Sequence, residues 1–195
     1  MKTYLYQENA TICVVEMIGE HNLETLDQRV KNYKENIEIP FSYLALQVED
    51  WNQDLSPWTC LNFGEGAQDT YQKLLEEVKK IKADTYILVG YSLAGLFSLW
   101  VGYQTNFFDF IVACSPSVWF PEWDTYMKEH TFQAKQVYLS LGTKEHKTKH
   151  PYMREVKKRI ILAQELLQCP LEMNPGNHFQ DVDQRILKGI QSILK

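Results

Sequence analysis

The feature that most constrains the fold is a long run of uncharged residues in the middle of the chain. Residues 85–108 contain no Asp, Glu, Lys or Arg. Such a run can cross a bilayer, or it can form a buried strand that turns sharply into a buried helix. Asp109 follows the run, where a membrane span would be expected to carry Lys or Arg. We therefore expect a strand, a turn and a helix, and no membrane span.

The rest of the chain favours the same interpretation, because strand-like and helix-like segments alternate along it. Most strand-like segments lack strict polar alternation, as is typical of strands buried on both faces of a parallel sheet. The predicted strands are residues 12–18, 43–48, 86–89, 110–114, 137–141 and 171–174. The predicted helices are residues 23–36, 69–82, 93–103, 152–168 and 182–194. The alternation predicts an α/β fold with a mostly parallel central sheet and helices on both faces.

Length and composition are typical of one globular domain over residues 1–195. The chain is 45% hydrophobic, which suffices for a sizeable core, and no repeat or Pro/Gly/Ser-rich linker divides it. Its net charge of −5 at pH 7 argues against a nucleic-acid partner. The first residues, MKTYLYQENATICVVEM, contain neither the apolar segment nor the cleavage site of a secretory signal. We therefore expect a cytoplasmic protein.

The cysteines and the known cofactor motifs give no sign of a metal or a cofactor. Cys13, Cys60, Cys114 and Cys169 are scattered, without a C-x-x-C pair or a histidine at zinc-finger spacing. Neither a dinucleotide-binding G-x-G-x-x-G nor a P-loop occurs in the chain. We therefore expect reduced thiols, no metal site and no cofactor.

The turn that follows the predicted strand 86–89 has the pattern of a nucleophile elbow. It reads GYSLAG, with Ser92 between a strand and a helix. Strand, turn and helix approach closely in this motif, so small residues are needed two positions before and after the serine. Gly90 and Ala94 occupy these positions. Ser92 is therefore a candidate nucleophile and its neighbour Tyr91 a candidate substrate contact, the alternative being a purely structural turn.

A serine nucleophile needs a base, and the base needs a third group that fixes its tautomer. In one known chain order the serine precedes the acid and the acid precedes the histidine, both on loops after later strands. Glu145 is the only carboxylate between the predicted strand 137–141 and the next helix. His178 lies in the turn PGNHFQD, between the predicted strand 171–174 and the last helix. Taken alone, either could be a solvated residue, but their positions favour an acid and a base.

Other titratable residues fit these roles less well. His130 follows a polar helix end, and we expect His146 and His150 to face solvent in the loop that carries Glu145. Asp181 and Asp183 lie next to His178 and are a second choice for the acid, although they are more typical of caps and first-turn charges of the last helix.

Acyl transfer also needs N–H groups that bind the developing oxyanion. One is normally the N–H of the residue after the nucleophile, which is Leu93 here. The second comes from the loop after the strand that precedes the first crossover helix, so Glu20 and His21 are both candidates. His21 can equally be an ordinary residue at the entry to a helix.

Three stretches of the sequence resemble the α/β-hydrolase superfamily, and within it the esterase branch that includes siderophore (enterochelin) esterases and the esterase D type. They are GYSLAG at the elbow, ACSPSVWF at residues 113–120 and GNHF at the histidine. The resemblance covers most of the chain and implies serine hydrolase chemistry on an ester or related acyl bond. It also implies that the S-P-S-x-W part of the second stretch, with Trp119, helps to line the site. Ala94 departs from the usual glycine, and the short chain leaves room for little or no lid.

The segment EDWNQDLSPW, residues 49–58, follows a predicted strand and so reaches the edge of the sheet where α/β proteins bind ligands. Its tryptophans can form an aromatic wall, or they can simply pack the loop over the core. In the first case Trp51, Trp58 and Trp119 bound an aromatic pocket next to Ser92.

The sequence as a whole predicts a serine hydrolase, an esterase in the first instance, that forms an acyl-enzyme on Ser92 with a small-molecule substrate. The same triad would also serve an acyltransferase or a thioesterase. A different alternative is a hydrolase-like module that binds a ligand without catalysis. The presence of Ser92, Glu145 and His178 in this order argues against that alternative.

Overall fold

One seven-stranded sheet forms the centre of the protein in a computed structural model that describes residues 1–195. The strand order is β1-β3-β2-β4-β5-β6-β7. Only β1 runs antiparallel, along the free edge of β3, and all other neighbours are parallel. The strands are β1 (Lys2–Tyr6), β2 (Ile12–Ile18), β3 (Ser42–Gln47), β4 (Thr85–Tyr91), β5 (Phe110–Cys114), β6 (Gln136–Gly142) and β7 (Leu171–Asn174).

Seven α-helices connect and cover the strands. They are α1 (Leu26–Asn36), α2 (Trp51–Asp54), α3 (Ala67–Val78), α4 (Leu93–Gln104), α5 (Trp123–Glu129), α6 (Val156–Leu167) and α7 (Val182–Ile193). Short 3-10 helices, Glu20–Thr25 and Met153–Glu155, precede α1 and α6. Helices α1 and α7 pack on one face of the sheet, whereas α3, α4, α5 and α6 pack on the other.

The predicted α/β fold, with a mostly parallel sheet and helices on both faces, is confirmed. All six predicted strands form, with differences of one or two residues at some ends. The prediction missed β1, whose KTYLY sequence is half exposed and has no continuous apolar run. It also missed the short helices α2 and α5, and it started two helices early, where the chain first forms 3-10 turns.

The uncharged run of residues 85–108 forms β4, the elbow and α4. Helix α4 is buried from Leu93 to Tyr103, because it lies between the sheet and helices of the same layer. This position explains why no charged side chain occurs along it. None of the helices combines the length and the apolar character that a membrane crossing requires.

A buried ion pair connects the first parallel strand to helices on the α1/α7 face. The Arg29 Nη1 of α1 lies 2.8 Å from the Glu16 Oε1 of β2, and its Nε lies 2.9 Å from the Asp183 Oδ1 of α7. The Tyr43 hydroxyl donates a hydrogen bond to the other oxygen of Glu16. Burial raises the pKa of Glu16, although Arg29 and the Tyr43 hydrogen bond act in the opposite direction.

The register of the parallel strands places their carboxyl ends at one edge. Tyr91 of β4 pairs with Cys114 of β5, and Gly142 of β6 pairs with Asn174 of β7. The four neighbouring strands β4, β5, β6 and β7 therefore all end at the same edge of the sheet. The loops that follow these strands carry Ser92, Ser115, Glu145 and His178.

Helix α7 approaches the sheet closely at Gly189. A Cβ atom there would lie 2.4 Å from the Val112 Cγ1 and 2.9 Å from the Tyr138 Cδ1. We expect Gly189→Val to lower the free energy of unfolding by about 1–3 kcal/mol, because overpacking displaces the helix from the sheet. Urea denaturation measures this change. Ser192→Val, at an exposed position of the same helix, should change it by less than about 0.5 kcal/mol, and equal effects would contradict the close packing.

Candidate active site

The elbow after β4 is tighter than the sequence suggested. The strand continues through Tyr91, and Ser92 alone makes the turn, with a φ of 58°, before α4 begins at Leu93. A Cβ atom at Gly90 would lie 2.1 Å from the Ala94 carbonyl oxygen, so only glycine fits at that position. Ala94 is fully buried. The small residues on both sides of the serine are therefore required by the close approach of strand and helix.

Ser92, His178 and Glu145 form a continuous hydrogen-bonded relay. The His178 Nε2 lies 2.9 Å from the Ser92 Oγ, and the His178 Nδ1 lies 2.7 Å from the Glu145 Oε2. A neutral imidazole protonated at Nδ1 fits this geometry, because it donates to Glu145 and accepts from the serine hydroxyl. The arrangement can transfer the proton of the serine to the imidazole while a carboxylate stabilises the resulting positive charge.

Glu145 is turned into the protein, although exposed lysines surround it in the sequence. Its side chain is only 4% exposed. Its Oε1 accepts hydrogen bonds from the Gly142 N–H at 2.6 Å, the Ser115 hydroxyl at 2.7 Å and the Arg185 Nη1 at 3.1 Å. Burial alone would raise the pKa of Glu145, but the hydrogen bonds and the positive charge of protonated His178 lower it below its ordinary value.

Arg185 of α7 is a central residue of this site that the sequence analysis missed. It is 1% exposed. Besides Glu145, its Nη1 donates to the Tyr91 hydroxyl at 3.0 Å, and its Nη2 donates to the carbonyl oxygens of Pro175 at 3.0 Å and Asn177 at 2.8 Å. One signal in the sequence points to it, because Arg185 occupies a position on the apolar stripe of an amphipathic helix.

The loops that carry Glu145 and His178 are joined by backbone hydrogen bonds. The Thr143 N–H donates to the Asn174 carbonyl at 2.8 Å, and the Lys144 N–H donates to the Gly176 carbonyl at 2.9 Å. The Tyr91 hydroxyl donates to the His178 carbonyl at 2.8 Å. Tyr91 therefore holds the backbone of the histidine, and its hydroxyl is occupied by protein groups.

The end of β5 and the segment after it, residues 113–120, hold the elbow in place. Ser115 has a φ of 45°, and its hydroxyl reaches Glu145. The Ser92 N–H donates to the Cys114 carbonyl at 3.1 Å, and the Ser117 N–H donates to the Ser92 carbonyl at 3.0 Å. The S-P-S part of this segment thus fixes both the backbone of Ser92 and the carboxylate of Glu145.

Two cavities meet at the relay, and Ser92, His178 and Phe179 line both. The first cavity, of about 390 Å³, is also lined by Ser115, Trp119, Lys144, Glu145, Lys147, Thr148, Met153, Val156 and Asn177. The second cavity, of about 300 Å³, is also lined by Glu16, Met17, His21, Asn22, Arg29, Trp51, Tyr91, Val182 and Ile186. Phe179 is 86% exposed, and its side chain lines both cavities. A substrate can therefore extend to either side of Ser92.

The predicted aromatic wall forms only in part. Trp51 lines the second cavity, with its ring edge-on to His21, and Trp119 lines the first. The prediction for Trp58 is wrong, since it lines neither cavity. Its indole packs against Phe120, Trp123 and Tyr126, and its Nε1–H donates to the Pro121 carbonyl at 3.1 Å. The half-buried indole thus packs against α5 and the segment before it, and that segment supplies the acceptor for its N–H.

The predicted oxyanion residues lie at two helix starts near Ser92. Leu93 is the first residue of α4, and Glu20 and His21 open a 3-10 helix after β2, the strand next to β4. The first N–H groups of a helix have no partner within it. The Gly19 N–H, in contrast, donates to the Asn22 side chain at 2.9 Å. The His21 side chain faces the second cavity, whereas the Glu20 side chain is exposed.

The competing residues are placed away from the relay. His130 is exposed and stacks on Tyr126, and His150 lies against Trp119. His146, which we expected to face solvent, is half-buried, with its Nδ1 shielded from solvent. Asp183 is paired with Arg29, and Asp181 is an exposed residue at the start of α7.

Solved structures of several hydrolases share this fold at low sequence identity. The siderophore hydrolase EstA from Aspergillus nidulans is 16% identical, with a TM-score of 0.65 over 94% of this chain and 82% of that one. Est1E from Butyrivibrio proteoclasticus is 12% identical, with a TM-score of 0.69 over 98% of this chain and 92% of that one. The fluorophosphonate-binding serine hydrolase FphF from Staphylococcus aureus is 12% identical, with a TM-score of 0.61 over 95% and 84% of the two chains. The chain therefore has the α/β-hydrolase fold.

Sequence comparison assigns the chain to a family. No curated protein matches the sequence. One family model matches residues 46–168, which include β4, the elbow with Ser92, the S-P-S segment and Glu145. This match extends over more than half of the chain, and the protein therefore belongs to the uncharacterised protein family UPF0227.

Proposed function

We propose that the protein is a serine hydrolase that cleaves carboxylic esters of small molecules through an acyl-enzyme on Ser92. The observation that carries this proposal is the relay from the Ser92 Oγ through His178 to the buried carboxylate of Glu145. A nucleophile, a base and an orienting acid in hydrogen-bond reach are the parts that acyl transfer requires. Two of the structural neighbours, a siderophore hydrolase and a fluorophosphonate-binding serine hydrolase, support the same reaction class.

In the first half of the reaction, His178 accepts the hydroxyl proton as the Ser92 Oγ attacks the ester carbonyl. The N–H of Leu93, with that of Glu20 or His21, binds the oxyanion of the tetrahedral intermediate. Glu145 stabilises the imidazolium. The alcohol departs with the proton from His178 and leaves the acyl group on the Ser92 Oγ.

In the second half, His178 takes a proton from water as the water attacks the acyl-enzyme. The imidazolium then returns this proton to the Ser92 Oγ as the bond to the acyl group breaks and the acid leaves. The two cavities on either side of the serine provide separate spaces for the acyl and alcohol parts of a small ester. An acyltransferase or a thioesterase would use the same residues with a different acceptor or leaving group. A module that only binds a ligand would need no activated serine. Covalent labelling of the serine therefore distinguishes an enzyme from a binding module.

Arg185 acts in this proposal as a positioning residue, because it contacts the acid and the base loop but neither cavity. Its guanidinium contacts Glu145, Tyr91 and two carbonyl oxygens of the histidine loop at once. A lysine cannot reproduce this fork of donors.

The first test is covalent labelling of Ser92 by a fluorophosphonate, followed by intact-mass analysis. We expect one adduct on the wild type and none on Ser92→Ala or His178→Ala, because labelling needs both the hydroxyl and its base. Ester hydrolysis should fall by about 10⁴-fold in either variant. Ser98→Ala is the matched control, since the Ser98 hydroxyl is buried in α4 and bonded to the Ala94 carbonyl. An adduct on Ser92→Ala, or no adduct on folded wild type, would contradict the proposal.

The second test separates positioning by Arg185 from direct substrate binding. We expect Arg185→Lys to lower kcat by about tenfold or more with little change in KM, because His178 and Glu145 lose alignment in the transition state. Steady-state kinetics on a neutral ester measures both constants. Lys188→Met, an exposed position of the same helix, is the control and should retain both. A change confined to KM in Arg185→Lys would rule out the positioning role.

The third test uses the lowered pKa of Glu145. Because the folded pKa lies below that of an unfolded glutamate, about 4.3, ionised Glu145 stabilises the fold at neutral pH. This contribution is lost as the pH falls from about 4.3 through the lower folded pKa. Glu145→Gln should therefore lower the free energy of unfolding by about 1–3 kcal/mol at pH 7, and this difference should shrink at acidic pH.

Urea denaturation of both proteins over this pH range measures the difference. Glu129→Gln, at an exposed position, is the matched control and should show no comparable trend. A destabilisation by Glu145→Gln that stays constant with pH would show that the lowered pKa is not its cause.

A further inference from the structure

The first cavity contains a pair of lysines that the proposed reaction does not use. Lys144 and Lys147 line it, together with the polar side chains of Thr148 and Asn177. Lys144 and Lys147 are exposed on the loop that carries the proposed acid. Their ammonium groups are therefore available to a ligand in this cavity.

Backbone hydrogen bonds hold the two lysines on one side of the loop. The Lys147 N–H donates to the Lys144 carbonyl at 3.0 Å, and the Glu145 N–H donates to the Gly142 carbonyl at 3.1 Å. A turn closed by a bond of this kind brings its first and last Cα atoms within about 7 Å of each other, and both lysine side chains line the first cavity. The Lys144 N–H is in turn bonded to the Gly176 carbonyl of the histidine loop, which fixes the turn next to His178.

The positive charge of these lysines is not balanced within the cavity. Glu145 is the only acidic residue in its lining, and its carboxylate is buried and faces His178 and Arg185. The second cavity has no lysine, and Arg29 in its lining is paired with Glu16. The chain as a whole has a net charge of −5, so this pair of unbalanced cations next to Ser92 makes the cavity locally positive in a negatively charged protein.

Four apolar side chains also line the first cavity. Trp119, Met153, Val156 and Phe179 contribute to it, so the lysines stand next to a hydrophobic surface. A ligand that fits this surface has an apolar part for these side chains and a negative charge for the lysines.

We propose that the natural ester of this enzyme carries a carboxylate or a phosphate group that binds in the first cavity next to Lys144 and Lys147. This inference rests on the proposed function and specifies its substrate class. Exposed charge pairs of this kind each change affinity by roughly two- to fivefold. Two lysines together should therefore give a preference of about five- to twentyfold for the charged over the neutral ester.

The experiment compares matched esters that differ in one negative charge. On the acyl side, 4-nitrophenyl hemisuccinate is compared with 4-nitrophenyl butyrate. On the alcohol side, the acetate ester of 4-hydroxybenzoate is compared with that of methyl 4-hydroxybenzoate. The ratio of kcat/KM for the charged ester to that for the neutral ester is measured in wild type and in Lys144→Met/Lys147→Met. Comparing the ratio between proteins removes the intrinsic reactivity of each ester.

We expect the double variant to lower the ratio by about five- to twentyfold in at least one pair. A drop in the first pair places the charge on the acyl group, and a drop in the second places it on the alcohol. Raising the salt concentration should lower the ratio in wild type but not in the double variant, because salt screens exposed charges. Lys149→Met is the matched control, since Lys149 belongs to the same loop but does not line the cavity.

An unchanged ratio in the double variant for both pairs would overturn the inference. If the neutral esters are still hydrolysed and Ser92 is still labelled by a fluorophosphonate, the proposed function survives that result. If Lys149→Met lowers the ratio of kcat/KM values as much as the double variant does, the inference is also overturned, because the effect is then a general one of the charge on the loop. Failure of all hydrolysis and labelling in wild type would instead overturn both proposals.

Discussion

Arg185 and Glu145 bury opposite charges 3.1 Å apart, and most of the geometry at the sheet edge depends on this pair. Either charge alone would be costly at this depth, so each requires the other. The remaining guanidinium donors reach the Tyr91 hydroxyl and the carbonyls of Pro175 and Asn177. One side chain from the last helix thereby connects the proposed acid, the base loop and the end of the nucleophile strand.

Two residues near the elbow have a strained backbone, and hydrogen bonds from the neighbouring strand ends hold them in that conformation. Ser92 and Ser115 both have positive φ values, which are unfavourable for residues with a side chain. Hydrogen bonds between the ends of β4 and β5 hold these conformations, including that from the Ser92 N–H to the Cys114 carbonyl. The strain directs the Ser92 hydroxyl toward His178 and the Ser115 hydroxyl toward Glu145.

Much of the fold could be predicted because buried parallel strands have a clear apolar signal, as residues 110–114 illustrate. Strand β1 could not be predicted, because it pairs on one side only and is largely exposed, without a continuous apolar run. Ser92, Glu145 and His178 follow three parallel strands, β4, β6 and β7, which end at the same edge of the sheet. Their proximity could therefore be predicted from the sequence. The contacts of Arg185 depend on where α7 packs, and those of Trp58 depend on where α5 and the segment before it pack, which no local pattern indicates.

The backbone bonds between the acid loop and the histidine loop affect how the site can open. Thr143 and Lys144 donate to Asn174 and Gly176, so the two loops form a single cooperative unit of local stability. A fluctuation that frees one loop must break its bonds to the other. The site should therefore exchange between an assembled state and a fully dismantled one, without a populated state in which only the base is displaced.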